Sequence, residues 1–383
     1  MIIPNRFRDE FPIFKNKIHL DVAFKCAPSD RVLQAMTEFI LDLQRTGGDK
    51  PEWFQMADTA RTVIGRLIHA RPDDIAFIKN TTEGLNMVAC GVGLQPGDNI
   101  IINDIEHTNN VQPWLNQQRF GVDIRWVKSR NGRVLTEDIE SMIDDRTRIV
   151  SISSVQYISG FRVDLKQIGE MCRSRDILFV VDAVQHLGVL PVDVKSSCID
   201  VLSCGGHKFL LCPPVGIGVL YVAESCRDKI APAFVGLNQV NKVVDSGGGN
   251  GGKEILFGTD AGKFEYGYFN FVGIAGLMAS VTMLLEAGLE NIEQHVMALN
   301  IELADRLQHH GAELITPLGE TERSAIVVMK LKNWVKVLEI MERENIIVTI
   351  RDGNMRISFH YYNISQDFDA LIECLIRAGE IDR

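Results

Sequence analysis

From about residue 60 to 222, short runs of β-branched and apolar residues alternate with longer stretches whose apolar positions recur at helical spacing, the rhythm of βαβ units around a mostly parallel sheet. Six of the short runs read as strands: Ile75-Ala76-Phe77-Ile78, Asn99-Ile100-Ile101-Ile102, Ile124-Arg125-Trp126-Val127, Ile149-Val150-Ser151-Ile152, Leu178-Phe179-Val180-Val181 and Val201-Leu202-Ser203. After Tyr221-Val222 the rhythm breaks. A glycine-rich segment over residues 246–252 leads to a long helical stretch near residues 274–285, and helical and strand patterns then mix as far as Arg383. The pattern predicts an α/β fold, with a large domain built on a mostly parallel central sheet and a smaller α+β domain toward the C-terminus.

Ligands of open α/β sheets bind outside the carboxyl ends of the strands, so the residues just after each run are the ones to inspect. Gly205-Gly206-His207-Lys208 follows the sixth run, and a lysine held in a desolvated pocket there has its pKa lowered and becomes a candidate Schiff-base former. Asp182 ends the fifth run, with Gln185 three residues on. A carboxylate at that edge can pair with a protonated pyridine nitrogen. Lys208 and Asp182 on neighbouring strands therefore suit pyridoxal 5'-phosphate (PLP), whose ring must be held cationic to withdraw electrons from a substrate carbanion. Taken singly, Asp182 could be a helix N-cap and Lys208 a surface lysine. His207, beside the lysine, is a candidate for seating the cofactor or relaying protons. Thr81 and Thr82 follow the first run and offer hydroxyls and helix N-terminal N–H groups to a phosphate, in a pattern that equally reads as a Thr N-cap with Glu83 completing a capping box.

With these residues in place, the chain resembles the class V aminotransferase family, fold-type I PLP-dependent enzymes that include cysteine desulfurases, selenocysteine lyases and isopenicillin N epimerase-like proteins. The resemblance runs nearly end to end, through Leu20-Asp21-Val22-Ala23, Asn80-Thr81-Thr82-Glu83-Gly84-Leu85-Asn86, the segment from Glu106 to Trp114, Val181-Asp182-Ala183-Val184-Gln185, His207-Lys208, Lys263-Phe264-Glu265-Tyr266-Gly267 and Met355-Arg356-Ile357-Ser358. It implies a large PLP-binding domain over residues 15–260 and a small domain made of residues 1–14 with 270–383. It also implies that Arg356 holds an α-carboxylate, with Arg162 and His360 as possible second contacts to the substrate side chain. Gln185, and more weakly Gln156, would donate to the phenolic oxygen of the cofactor.

The chain departs from the family at three places. Gly205 stands where cysteine desulfurases place a phosphate-binding serine, and Tyr268 where the family usually has a threonine. The resemblance makes that position reach across from a second subunit, so Tyr268 is a candidate replacement donor in a homodimer with a shared active site. His107 is followed by Thr108 where desulfurases have two histidines, the second stacking on the ring. That leaves His107 turned inward or on the surface, and Thr108 covering the ring face with a methyl and a hydroxyl only.

Composition narrows the alternatives. At 383 residues, 46% apolar and 23% charged, the chain can fill one large core and a smaller domain, and it has no apolar run long enough to span a membrane. A formal charge of -10 without a concentrated basic stripe argues against nucleic acid or anionic membrane as partners. The N-terminus lacks the apolar core of a signal peptide, which makes the cytoplasm the default. Eight cysteines are scattered without a CxxC pair or a histidine cluster at metal spacing, so no metal site or disulfide framework is expected. Most of them, Cys90, Cys198 and Cys204 included, sit in apolar runs as small hydrophobes. Residues 247–253 match the spacing of a P-loop, but Glu254 stands where the magnesium-binding hydroxyl belongs and no buried strand feeds directly into the segment, so a loop over the active site or at a subunit contact is the better reading.

The expected activity is that of a PLP-dependent enzyme acting on an α-amino acid through a Lys208 Schiff base and a Cα carbanion, most simply a lyase or a related side-chain-modifying reaction. Epimerisation, transamination, decarboxylation and C–C bond formation remain alternatives, as does an inactive binding scaffold. No cysteine lies between Cys226 and Arg356, and Cys374 falls in an apolar helical pattern. The sequence therefore predicts no persulfide relay of the cysteine desulfurase kind.

Overall fold

The computed structural model describes residues 6–236, 239–245 and 253–383, so the glycine-rich segment 246–252 lies outside the described residues. In chain order the strands are β1 (Ile18–His19), β2 (Ile75–Ile78), β3 (Asn99–Asn103), β4 (Asp123–Val127), β5 (Thr147–Ser153), β6 (Leu178–Asp182), β7 (Val201–Gly205), β8 (Gly218–Val222), β9 (Val240–Asp245), β10 (Lys253–Phe257), β11 (Ile326–Lys330), β12 (Ile346–Ile347), β13 (Thr349–Arg351) and β14 (Asn354–Ser358).

Seven strands make the central sheet, in the order β2-β8-β7-β6-β5-β3-β4. All six predicted strands are in it, and pairing is parallel from β7 through to β4. The pattern of apolar runs does not single out the seventh. β8 is inserted antiparallel between β2 and β7, which leaves β2 pointing the same way as the parallel set. The carboxyl ends of β2, β3, β5, β6 and β7 therefore share one edge.

Both faces of the sheet are buried, which is why its strands read as continuous apolar runs. Alternate residues serve two cores. Ile101, Val150, Phe179, Val181 and Leu202 pack with the helices Asp30–Thr46, Lys50–Ile68 and Phe271–Ala287 in one cluster, while Ile100, Ile102, Ile149, Val180 and Val201 pack with Leu85, Val88 and Trp114 in the other. The helix Thr81–Gly91 starts immediately after β2. Its N-cap is Asn80, whose side chain accepts from Glu83 N at 3.0 Å, so the cap is not the threonine that the sequence suggested. Among the described residues no single helix is long and apolar enough to cross a membrane.

Beyond the central sheet, β11, β14 and β13 form a small antiparallel sheet in that order. The N-terminal segment joins it: β1 pairs with β12, Asp21 bridges to Ser358, and Arg8 is ion-paired with Asp367 at 2.8 Å. Residues near the start of the chain are thereby laid beside residues near its end.

Candidate active site

Register fixes the first half of the site. Asp182 is the last residue of β6 and stands opposite Ser153 of β5 and Ser203 of β7, so its carboxylate is at the shared edge. It is 2% exposed, and Val184 N–H donates to its Oδ1 at 3.0 Å. Burial raises its pKa, Glu106 adds to the rise, and Lys208 opposes it. Lys208 sits in the turn after β7. Its pKa is lowered to about 8, chiefly by burial, with Asp182 opposing and Arg356 adding to the shift. Among the described residues none accepts a hydrogen bond from the amine. Burial that brings the amine's pKa down toward neutrality, beside a buried acid, is what a nucleophilic lysine requires.

The segment after Asp182 turns back tightly. Gly188 has φ +104°, and a Cβ there would lie 2.1 Å from Phe209 O, so only glycine lets this turn pass against the chain that carries Lys208. Gln185 points its amide to Ala23 O at 3.1 Å, and Cys26 N–H donates to His207 O at 2.9 Å. These two bonds strap the N-terminal segment across the lysine turn. His207 is neutral, its pKa lowered to about 4 by burial and then by Lys208 and Lys25.

Thr81 lies beside the same turn, its Oγ1 accepting from Gly205 N at 2.9 Å. Thr82, one residue into the helix, is partly exposed. A Cβ at Gly205 would come to 3.2 Å from the His207 ring and 3.5 Å from Thr81 Oγ1. Glycine here leaves room where a serine would crowd the histidine. His107 is turned inward. Its pKa is lowered to about 4 by burial and by the charges of Lys208, Arg351 and Arg356, and its ring meets Tyr157 edge-on at 5.0 Å.

The small sheet supplies the other half. Arg356 on β14 is opposite Thr349 of β13 and Val328 of β11. Its Nη2 lies 3.6 Å from Asp21 Oδ1 and donates to Thr349 Oγ1 at 3.4 Å, while Thr349 donates to Asp21 Oδ1 at 2.7 Å. Burial raises the pKa of Asp21 to about 6, with Thr349 and Arg356 opposing.

The geometry corrects several expectations. Arg162 is ion-paired with Glu293 at 2.5 Å and lines a separate cleft with Phe161, His186 and Glu322, so it does not reach the Lys208 site. His360 is fully buried: its Nε2 bonds Phe209 O at 3.1 Å and its Nδ1 accepts from Tyr361 N, leaving neither nitrogen for a substrate. Thr108 is exposed at the start of a short 3-10 turn, because that turn points His107 inward and its neighbour outward. Gln156 has both amide hydrogens engaged, by Glu106 Oε1 and Ser153 O. Cys90 is exposed on its helix and is not a core hydrophobe. Tyr268 is 62% exposed and accepts from Lys50 Nζ at 3.1 Å, away from Lys208 within its own chain.

Two residues to which the sequence pattern assigned no role stand out. Glu106 is buried and accepts from Asn103, Asn110, Ser153 and Gln156, holding a rigid network against Asp182. Asp21 is the counter-ion of Arg356. Both belong to motifs visible in the sequence, and the available signal was an acid placed beside a strand end or an apolar run.

The site fits PLP. Among the described residues, Gln185 Oε1, Gln156 Oε1 and Arg356 Nε are buried without a hydrogen-bond partner, as expected of a pocket shaped for a polar ligand. Lys208 would carry the cofactor, Asp182 would face its pyridine nitrogen, and the start of the helix Thr81–Gly91 would face its phosphate. Fold and site together define a fold-type I PLP-dependent enzyme.

The chain belongs to the aminotransferase class-V family, whose model matches residues 20–371. It is 29% identical to a probable cysteine desulfurase of Methanothermobacter thermautotrophicus, over 96% of each chain. The cysteine desulfurase of Thermococcus onnurineus has the same fold at 25% identity, with a TM-score of 0.88 over 99% of this chain and 98% of that one. A C-DES variant with glycine covalently linked to its PLP cofactor superposes with a TM-score of 0.88 at 21% identity, over 98% and 99% of the two chains, a likeness of fold. The cofactor of this chain is PLP.

These relatives overturn the expectation of a reaction without a persulfide relay, since proteins like this chain along its whole length are named cysteine desulfurases. The exclusion rested on one place for an acceptor thiol, the stretch before Arg356. Spacing along the chain does not locate a thiol in space: Cys26, more than 300 positions before Arg356, is bonded through its backbone to His207, next to Lys208.

Proposed function

We propose that the protein is a PLP-dependent cysteine desulfurase-type enzyme that cleaves the Cβ–S bond of L-cysteine, releases alanine and hands the sulfur to an acceptor thiol as a persulfide. The observation that carries this reading is the half-buried Lys208, whose amine makes no hydrogen bond among the described residues and lies within electrostatic reach of Asp182 and Arg356, in a chain that matches proteins named cysteine desulfurases over nearly its whole length. PLP, when bound, supplies the electron sink that makes the Cα proton of an amino acid removable.

The chain's own residues do the rest. Asp182, kept from water by burial and fixed by Val184 N–H, would face the pyridine nitrogen and accept a hydrogen bond from its protonated form. Arg356 binds the substrate carboxylate, with Asp21 and Thr349 setting the plane of the guanidinium. Lys208 would carry the cofactor, and its Nζ would take the Cα proton of the substrate, a role its lowered pKa supports near neutral pH. Neutral His107 and His207 line the site without adding charge. Thr81, Thr82 and Gln185 position the cofactor. Exposed Tyr268 completes the phosphate site of a second copy in a homodimer, a role supported by its exposure.

The test is incubation of PLP-loaded protein with L-cysteine and a reducing thiol. Alanine and sulfide in equal amounts from wild type, and neither from Lys208→Ala, are the expected results. Consumption of cysteine without alanine would refute the assignment.

A further inference from the structure

The cleft that takes up Arg162 is separate from the Lys208 site and has a volume of about 930 Å³, a size that suits a small molecule. Its walls include the segment 161–167, the turn 186–193 and the side of the helix Leu289–His309 that carries Glu293, Met297 and Ile301.

His186 is the unusual member of this lining. It is 3% exposed, and its Nε2 lies 3.1 Å from Pro191 O. A carbonyl oxygen only accepts, so Nε2 carries the proton in that bond. Burial, and then the charge of Arg162, lower the His186 pKa to about 3, which keeps the ring neutral. Nδ1 is therefore a bare acceptor, and among the described residues nothing donates to it. Buried acceptors are almost always paired. The free lone pair calls for a donor from outside the chain.

The charges around the cleft say what kind of donor. Its own cations are spent within the protein: Arg162 pairs with Glu293 at 2.5 Å, Arg323 donates to Asn300 Oδ1 at 2.7 Å, and Lys166 lies 4.0 Å from Glu170. Glu137 and Glu320 also line the cleft, and among the described residues neither is ion-paired. Asp164 and Asp193 add two carboxylates that only backbone N–H groups and a serine answer. The field over the cleft is thus negative. Among the described residues no three His, Cys, Asp or Glu side chains gather as metal ligands, so the cation this field favours is organic. Phe161, Val192, Met297 and Leu318 offer it an apolar wall.

We infer that this cleft is a second binding site, for a small organic cation: a protonated amine whose N–H donates to His186 Nδ1 and whose apolar body lies against Phe161, Val192, Met297 and Leu318. His186 directly follows Gln185, the residue bonded to Ala23 O, so one peptide unit joins this site to the cofactor pocket.

The experiment is isothermal titration calorimetry of the PLP-loaded protein with N,N-dimethylbenzylammonium, a tertiary ammonium that has an N–H to donate and cannot form an imine with the cofactor. Saturable binding is expected. Benzyltrimethylammonium, with the same charge and no N–H, should bind about tenfold more weakly, the scale of one hydrogen bond to a charged group. Benzoate should show no saturable binding. His186→Phe should weaken N,N-dimethylbenzylammonium about tenfold for the same reason. Because His186 is buried, a surface variant supplies an independent arm: Glu137→Gln combined with Glu320→Gln should weaken binding about threefold and flatten its salt dependence. No saturable binding to wild type, or benzoate binding as tightly as the ammonium, overturns the inference. So does equal affinity for the two ammonium ions, or an affinity unmoved by both His186→Phe and the surface variant.

Discussion

The two halves of the site are built in opposite ways. At the lysine end, Asp182, Thr81, Gly205 and Lys208 stand at or just after the ends of β6, β2 and β7 of a seven-stranded sheet, and the sheet framework places them at one edge. At the arginine end, Arg356 is held by Asp21 from near the start of the chain and by Thr349 from a different strand of a three-stranded sheet. The first is a framework with residues attached. The second is an assembly of side chains, whose precision depends on contacts between segments more than 300 positions apart in the sequence. In the proposed reading, covalent chemistry belongs to the rigid framework and substrate choice to the assembled part, where single substitutions can retune it.

The largest effect should come from the framework. Lys208→Ala should abolish the visible band of protein-bound PLP and lower alanine release by at least about a thousandfold, while circular dichroism and the thermal midpoint show a folded protein. Retention of the band would show that another amine carries the cofactor.

The arginine end should respond next. Arg356→Ala should raise KM for cysteine by an amount equivalent to about 2–4 kcal/mol, the cost of leaving a desolvated carboxylate unpaired. Arg162→Ala, which breaks only a partly exposed pair with Glu293, should change KM by less than about twofold. Equal effects of the two substitutions would erase the distinction between the site and the neighbouring cleft.

This construction explains how legible each half is in the sequence. Strand ends are a property of local pattern, so Asp182, Lys208 and Thr81 can be read from apolar runs and the residues next to them. β8 is not singled out, because an inserted antiparallel strand has the same buried composition as its parallel neighbours. Contacts between distant segments leave no local trace. Asp21 and Glu106 lie in recognised motifs without a role, and Arg162 and His360 look like substrate contacts until their side chains are seen bonded to Glu293 and to Phe209 O. The persulfide question fails for the same reason, since chain spacing stands in where spatial proximity is needed.

A pH measurement sharpens the framework side. Burial lowers the Lys208 pKa from 10.5 to about 8, so the folded protein favours the neutral amine. The associated stability is fully present above the unfolded value and is lost as pH falls through about 8. In the apoprotein, Lys208→Met, which cannot titrate, should therefore be stabilised relative to wild type below pH 8, and the difference should shrink as pH rises toward 10.5. Thermal midpoints across pH 7–10.5 check this. A constant difference would mean that the amine is not desolvated in the fold.

The smallest effect is expected at Gly205→Ser. The added side chain enters beside Thr81 Oγ1 and 3.2 Å from the His207 ring, so it should cost about 1 kcal/mol of stability while tightening PLP retention by no more than a few fold. Dialysis and PLP quantitation, with melting curves, read both.

The central claim is that this geometry cleaves carbon–sulfur bonds with alanine as the carbon product. The most direct measurement tracks 3-13C-labelled L-cysteine through PLP-loaded enzyme by NMR, with intact mass of the protein and persulfide assay of the small thiols recorded in parallel. The account predicts that the label appears in the methyl group of alanine, in step with persulfide sulfur on a thiol acceptor, and that Lys208→Ala gives neither. Label accumulating in pyruvate with release of ammonia, and no persulfide on protein or small thiol, would contradict it.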